Sequence, residues 1–281
     1  MNAPHAAVIE AGPEARSTEH DGPLGLLEPI GLEELVSRAA LLHRVDRKYI
    51  VRRSLLTGLY AAAGGDAGAM ALEIAGRREA AYASVYFDTE RRELYLAAAH
   101  KRRRRAKVRT RSYLDSGLSY LEVKTRGPRG ATVKRRTEHP LDAGAVLGPA
   151  ALGYLEPELA AAGLPADLPG RLVPLLTSHY SRSTLYLPAD GARVTVDTGL
   201  RWGLLAPGGE PVPGGSRVFS EQAIVETKSS STPSAVDRWL WQHGHRPAQI
   251  SKFATGLAVL EPGLPHNKWH RTLNRHYADA A

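Results

Sequence analysis

The sequence contains no cysteine among its 281 residues. Disulfides, zinc–thiolate centres and thiol nucleophiles are thereby excluded. It contains no apolar run of about 18 residues, the length that a membrane-crossing helix requires, and no charged-then-apolar signal pattern at its start. Aromatic residues make up only 6 %, and the eleven histidines fall at no metal-ligand spacing. Together these absences predict a cytoplasmic protein. Acids are missing from one stretch in particular. Lys101 to Arg136 holds fourteen Lys and Arg residues and two acids, Asp115 and Glu122, a net charge of +12 against +8 for the whole chain. The other 245 residues are therefore slightly acidic, at −4. Such a concentration of charge points to a polyanionic partner: nucleic acid, polyphosphate, nucleotide or an acidic membrane surface.

Residues 1–24 carry no periodicity and are expected to form a disordered leader. One domain is expected over 25–262, with a loose polar tail over 263–281. Leu32, Leu35, Ala39 and Leu42 recur at helical spacing. Arg44–Val51 reads as a strand, and Ser54 is placed to cap a helix over Leu55–Ala63. Ala81–Asp88 has strand composition and ends in a polar turn. Lys107–Tyr113 and Ser119–Thr125 both alternate around the turn signal Asp115-Ser-Gly117, which predicts a hairpin. A third strand follows over Ala131–Thr137. Residues 142–170 read as helices. Strands resume at Thr177–Leu187, Arg193–Thr198 and Ala223–Lys228, and short helices close the pattern at Pro233–His243 and Phe253–Leu260. Gly208-Gly209 and Gly214-Gly215 flank a Pro-rich turn. This order predicts an α+β fold, an antiparallel sheet curled into a barrel or tunnel with peripheral helices.

On a strand, residues i, i+2 and i+4 share a face. Lys107, Arg109 and Arg111 therefore point one way; so do Glu122 with Lys124, Lys134 with Arg136, Thr195 with Asp197, Glu226 with Lys228, and Arg44 with Asp46 and Lys48. Any single pair is accounted for by a wet sheet face. The same strands place Val108, Val123, Val133, Val196 and Val225 on the opposite side. If helices cover that side, the charges line an interior, where they are costly unless an anion neutralises them.

The series Asp46-Arg-Lys-Tyr49, Ser84-Val-Tyr-Phe-Asp-Thr89, Lys107-Val-Arg-Thr-Arg111, Glu122-Val-Lys124, Lys134-Arg-Arg136, Tyr180-Ser-Arg182, Val196-Asp-Thr198, Glu226-Thr-Lys228 and Ser251-Lys-Phe253 resembles the VTC domain. That domain is the polyphosphate-polymerase branch of the triphosphate tunnel metalloenzymes, the CYTH-like superfamily. The resemblance implies a closed antiparallel tunnel of eight strands, in which the terminal phosphate of ATP passes to a growing polyphosphate chain with Mn²⁺ or Mg²⁺ present. It implies Lys48, Arg109, Arg111, Lys124, Lys134, Arg136, Arg182 and Lys252 as phosphate ligands, with Tyr180 beside the phosphates and Glu226 on the metal. Of these, Lys48, Arg109, Arg111, Lys124, Arg182 and Lys252 are the expected catalytic set. One or more of Arg102–Arg105 would also bind phosphate, and the run leaves open which.

The hydrolytic relatives begin with Glu-x-Glu-x-Lys, whereas Arg44, Asp46 and Lys48 stand here. The lost acid favours transfer to phosphate over attack by a metal-activated water. Asp46 stands as a second metal ligand or as the partner of a neighbouring arginine. Glu122 and Asp197 are secondary metal or ion-pairing candidates, Glu122 being expected to orient Lys124 and nearby arginines. Three other readings remain: a triphosphatase, a non-catalytic polyphosphate or inositol-phosphate sensor, and a nucleic-acid binder. Nucleic acid is not the expected partner. No residue supports a partner membrane protein, although membrane-bound relatives feed a transmembrane channel.

Overall fold

The computed structural model describes residues 22–38, 45–65, 67–127 and 131–277. Its strands are β1 (Glu28–Ile30), β2 (Val45–Arg52), β3 (Met70–Leu72), β4 (Glu79–Asp88), β5 (Ala106–Tyr113), β6 (Leu118–Arg126), β7 (Thr132–Glu138), β8 (Val173–Leu187), β9 (Ala192–Leu205), β10 (Pro211–Phe219) and β11 (Gln222–Ser229). Its helices are α1 (Leu32–Arg38), α2 (Leu56–Gly64), α3 (Glu93–Ala99), α4 (Pro149–Ala161), α5 (Ala235–Gln242), α6 (Lys252–Leu260) and α7 (His270–His276).

Eight strands form one continuous antiparallel path, β2-β11-β9-β8-β4-β5-β6-β7, which is the expected α+β antiparallel sheet. Off this path, the short strand β3 pairs with β8 and with β1, and β10 pairs with β9. The sheet curls. Ala248 N donates to the Lys48 carbonyl of β2 at 2.7 Å, while three residues later Ser251 Oγ accepts from Lys107 Nζ of β5 at 2.7 Å. Strands five places apart are thus bridged by a few residues. Among the described residues, however, the end strands β2 and β7 share no ladder, so the expected closed tunnel is open along that seam.

Alternation sorts the side chains of the path onto two faces. The outer face is apolar and covered by helices. Tyr49, Val51, Leu185, Val194, Val196 and Val225 pack beneath α2 and α5. Val85, Val108, Leu121 and Val123 pack beneath α4. Val133, on the exposed strand β7, is only half-buried. The tie from α5 to the sheet is polar as well. Fully buried Asp237 completes a capping box with Ser234, and its carboxylate also accepts from Tyr49 Oη at 2.7 Å and Thr227 Oγ1 at 2.6 Å. Trp241 Nε1 donates to Tyr49 Oη at 3.0 Å, so the Trp239-Leu-Trp241 segment packs its helix on the sheet as expected.

Several local expectations change. Ser54 caps nothing; it lies in a 3₁₀ turn, Arg53–Leu55, that leads into α2. The polar turn after β4 opens into α3, whose first amides are held by the buried Asp88 carboxylate through Leu94 N and Tyr95 N, each at 2.8 Å. The Pro-rich segment after Gly209 is strand β10, which pairs with β9 alone. Edge position makes its prolines tolerable. The expected loose tail from 263 instead carries α7 and buries Trp269 and Tyr277 against the α6 core. Ala39, Leu42, Arg44 and most of the expected leader lie outside the described residues.

Candidate functional site

The inner face of the curled sheet is where the charges go. Reading the register across the path places Asp46 and Lys48 of β2 beside Lys228 and Glu226 of β11. Next come Arg193 and Thr195 of β9, then Asp197 opposite Arg182 of β8. Tyr180 of β8 meets Tyr82 of β4, and Ser84 and Tyr86 of β4 meet Arg111 and Arg109 of β5. Lys107, Arg109 and Arg111 of β5 meet Lys124, Glu122 and Tyr120 of β6, which in turn meet Lys134, Arg136 and Glu138 of β7. Among the described residues, the two-residue repeats seen in the sequence land on this one face.

Helix α6 crosses one end of the face and adds a cation. Ser251 accepts from Ala254 N, which fixes the start of the helix and aims Lys252 at the sheet. Lys252 Nζ lies 4.1 Å from the Tyr180 ring centroid and pairs with the buried Asp197 carboxylate. Arg182 Nε and Nη2 reach the two oxygens of the same carboxylate at 2.6 and 2.9 Å. Phe253 stacks on Tyr86 at 5.3 Å and closes that end with apolar contacts.

Two carboxylates are spent on internal pairing. Burial pushes the Asp197 carboxyl up, but Lys252 and Arg182 outweigh it and hold the group well below the usual carboxylate range. Glu122, 1 % exposed, takes Arg109 Nε at 2.7 Å and Nη2 at 2.5 Å and also pairs with Lys134. Its ion-pair partners are thus Arg109 and Lys134, and its charge also acts on the nearby Lys124 ammonium. Glu226 differs. Its ion-pair partner is Lys228 at 3.3 Å; burial raises the carboxyl, and Lys48 and Lys228 then bring it down to about 2.

The remaining cations are under-neutralised. Among the described residues, Lys48, Arg111 and Lys124 have no carboxylate within 4.0 Å. Burial first, then Arg109 and Arg111 beside it, pulls the Lys124 ammonium down to about 7. Lys107 falls well below its ordinary value for the same reasons, burial leading and Lys124, Arg109, Lys48 and Arg111 adding to it. Polar atoms are orphaned here as well. Ser84 Oγ, Arg111 Nε, Tyr180 Oη and Thr195 Oγ1 are buried without a hydrogen-bond partner. Such groups are costly to bury unpaired, and these four are on the inner face.

The structure thus gathers Lys48, Arg109, Arg111, Lys124, Tyr180, Arg182, Glu226 and Lys252 around one space. Lys134 and Arg136 share the face but are exposed on β7, Arg136 lying 4.5 Å over the Tyr120 ring. Asp46 is exposed at the far end of the β2–β11 ladder. Lys107 belongs with the set on geometry, although the family pattern did not select it; its i, i+2 spacing from Arg109 was the available signal. Ser251 was hidden, because only the tertiary path of α6 brings it to β5. Among the described residues no three His, Cys, Asp or Glu side chains cluster as a metal cage.

The VTC domain family profile matches residues 43–261, most of the chain. No curated protein matches the sequence. Among solved structures, the chain is similar to a proposed adenylyl cyclase from Hippeastrum described with a dominant triphosphatase activity, at 18 % identity and TM-score 0.48, covering 80 % of this chain and 99 % of that one. It is also similar to a proposed adenylate cyclase from Vibrio parahaemolyticus, at 14 % identity and TM-score 0.41, covering 74 % and 94 %.

Proposed function

Because the chain belongs to the VTC domain family, we propose that it is a metal-dependent polyphosphate polymerase, moving the terminal phosphoryl group of ATP onto a growing polyphosphate chain. The observation that carries this reading is the cation-rich inner face itself. Among the described residues, Lys48, Arg111 and Lys124 lack carboxylate partners there, and four buried polar atoms lack any partner. A chain of phosphates supplies negative charge and acceptor oxygens along its length, and so satisfies both deficits at once. A bound polyanion would also restore the proton that burial loosens on Lys124.

In this reading Arg111 and Arg182 grip equatorial oxygens through their forked donors, while Lys48, Lys107, Lys124 and Lys252 act as point charges. Arg109 is held rigid by Glu122 and sets the shape of the wall. Transfer breaks the bond from the γ-phosphorus to its bridging oxygen and forms one to a terminal oxygen of the acceptor chain; ADP leaves. The attacking oxygen is already anionic, so no proton has to be removed. That suits an inner face on which Glu122, Asp197 and Glu226 are all held below their ordinary basicity. Attack by water would need a base. Catalysis then rests on positioning and charge neutralisation.

Glu226 fits a hard divalent ion as one carboxylate ligand. With no three-residue cage among the described residues, the rest of the shell would come from phosphate oxygens and water. Such an ion would supply charge neutralisation at the phosphates.

Incubation of the purified chain with ATP and Mn²⁺ tests the reading. A ladder of lengthening acid-labile phosphate chains is expected. Release of orthophosphate alone would replace polymerase with triphosphatase.

A further inference from the structure

The arginine run ahead of β5 and the segment after 261 have no part in the transfer chemistry, and the fold brings them together. The family match ends at residue 261, yet the chain beyond it is firmly seated. Arg92 pairs with Glu261 at 2.7 Å, Tyr95 Oη donates to the Pro265 carbonyl at 3.1 Å, and Trp269 packs 5.7 Å from the Tyr95 ring. On the other side, Thr272 Oγ1 donates to the Gln249 carbonyl at 2.9 Å, next to the Ala248 amide that binds Lys48. The segment is therefore pinned between α3 and the middle of β2 at Lys48, and it holds Lys268 there.

The β5–β6 ladder runs out at the same place. The last pair is Ala106–Thr125, with Arg105 and Arg126 the next residues along the two chains and close enough for Arg126 to lower the Arg105 guanidinium after burial does, and the nearest inner row is Lys107 with Lys124. Arg104 turns elsewhere, its Nε lying 3.1 Å from where a Cβ on Gly163 would stand, so it is occupied against the end of α4. Of the ambiguous arginines, Arg102, Arg103 and Arg104 are exposed, whereas Arg105 is half-buried and directly precedes β5. Lys268 is pushed below its ordinary value by burial first, then by Arg105, Lys101, Arg126 and Lys48. Among the described residues, Lys101, Arg105, Arg126 and Lys268 have no carboxylate within ion-pair distance.

We propose that Lys268, with Lys101, Arg105 and Arg126, forms a cationic rim that holds the polyphosphate chain where it leaves the inner face. The inference rests on the polymerase reading and extends it to the path of acceptor and product. Inorganic polyphosphate is the ligand of choice because the rim continues the row of Lys48, Lys107 and Lys124 without a break. A single-stranded nucleic acid would also want open aromatic faces for its bases, and the aromatic ring nearest the rim, Trp269, is buried.

Titration calorimetry on the full chain, with tripolyphosphate and long-chain polyphosphate as separate probes, tests the rim. In a Lys268→Ala/Arg126→Ala double variant, long-chain affinity should fall by roughly tenfold and its salt slope should shrink by about one to two ions. Tripolyphosphate affinity should stay within about twofold, since that probe needs only the inner face. Lys268→Arg, paired with native Arg126, should bind long chains as the wild type does. Unchanged long-chain affinity in the double variant would overturn the rim, and so would an equal loss for tripolyphosphate. Single-stranded RNA of matched charge binding as tightly, and losing affinity in the same variant, would make the patch a nucleic-acid surface instead. If the wild type makes only orthophosphate from ATP while long-chain binding keeps its rim dependence, the polymerase reading fails and the rim stands.

Discussion

Arg111→Ala should lower phosphoryl-transfer turnover by about 10²–10³-fold, the scale of losing one preorganised electrostatic group, while changing unfolding free energy by less than about 1 kcal/mol. The two halves of that expectation come from the same geometry. Among the described residues Arg111 has no ion pair, its Nε is orphaned, and its guanidinium carbon stands 5.7 Å over the Tyr82 ring. It also depresses the protonation of Lys107 and Lys124. Removing it relieves repulsion in the ligand-free protein, which offsets the lost packing. Single-turnover kinetics with ATP, beside urea unfolding of the same variant, separates the two effects. A large loss of stability would mean that Arg111 is structural and that its charge does not face substrate.

Asp197→Asn should do the reverse. Asp197 is 1 % exposed and is the shared partner of Arg182 and Lys252. Its loss strands two buried cations side by side, a change that costs about 3–5 kcal/mol. Tripolyphosphate should restore more of the variant's melting temperature than it adds to the wild type, because the ligand supplies the missing negative charge. The acid limb gives an independent check. A carboxyl whose folded pKa is depressed contributes stability above its unfolded value, near 3.9, and loses it as pH falls through the folded one. The wild type should therefore lose stability more steeply than the variant below about pH 4. Parallel acid limbs would sink the pairing.

What could be read in advance follows from how local each feature is. The Lys107, Arg109, Arg111 repeat and the Asp115-Ser-Gly117 turn fix both the β5–β6 hairpin and its charged face within twenty residues. The Arg109–Glu122 pair follows from that hairpin register. The apolar partners Val108 and Val123 showed that the other side was covered, and α4 covers it. The α+β antiparallel class was legible from the same alternation, and the family from the ordered motifs.

Features set by distant contacts were not legible. Helix α3 is seven residues long and depends on Asp88, a strand residue whose burial raises its carboxyl to about 6 even as it accepts the helix amides. No propensity in Glu93–Ala99 signals that cap. The seam between β2 and β7 is a matter of curl, which a period of two cannot report. The C-terminal segment looked polar because its anchors are few and large, Trp269 and Tyr277, and their pockets are built by α3, α6, β9 and β10. For the same reason Arg105 could not be told from its neighbours until Gly163 was seen against Arg104.

A crystal structure with a non-hydrolysable ATP analogue and Mn²⁺ tests the convergence of cations most directly. Phosphate oxygens should lie within hydrogen-bonding distance of Arg111, Lys124, Arg182 and Lys252, with an anomalous manganese peak beside Glu226. An analogue bound on the helix-covered outer face, with the inner face left to water, would contradict the account.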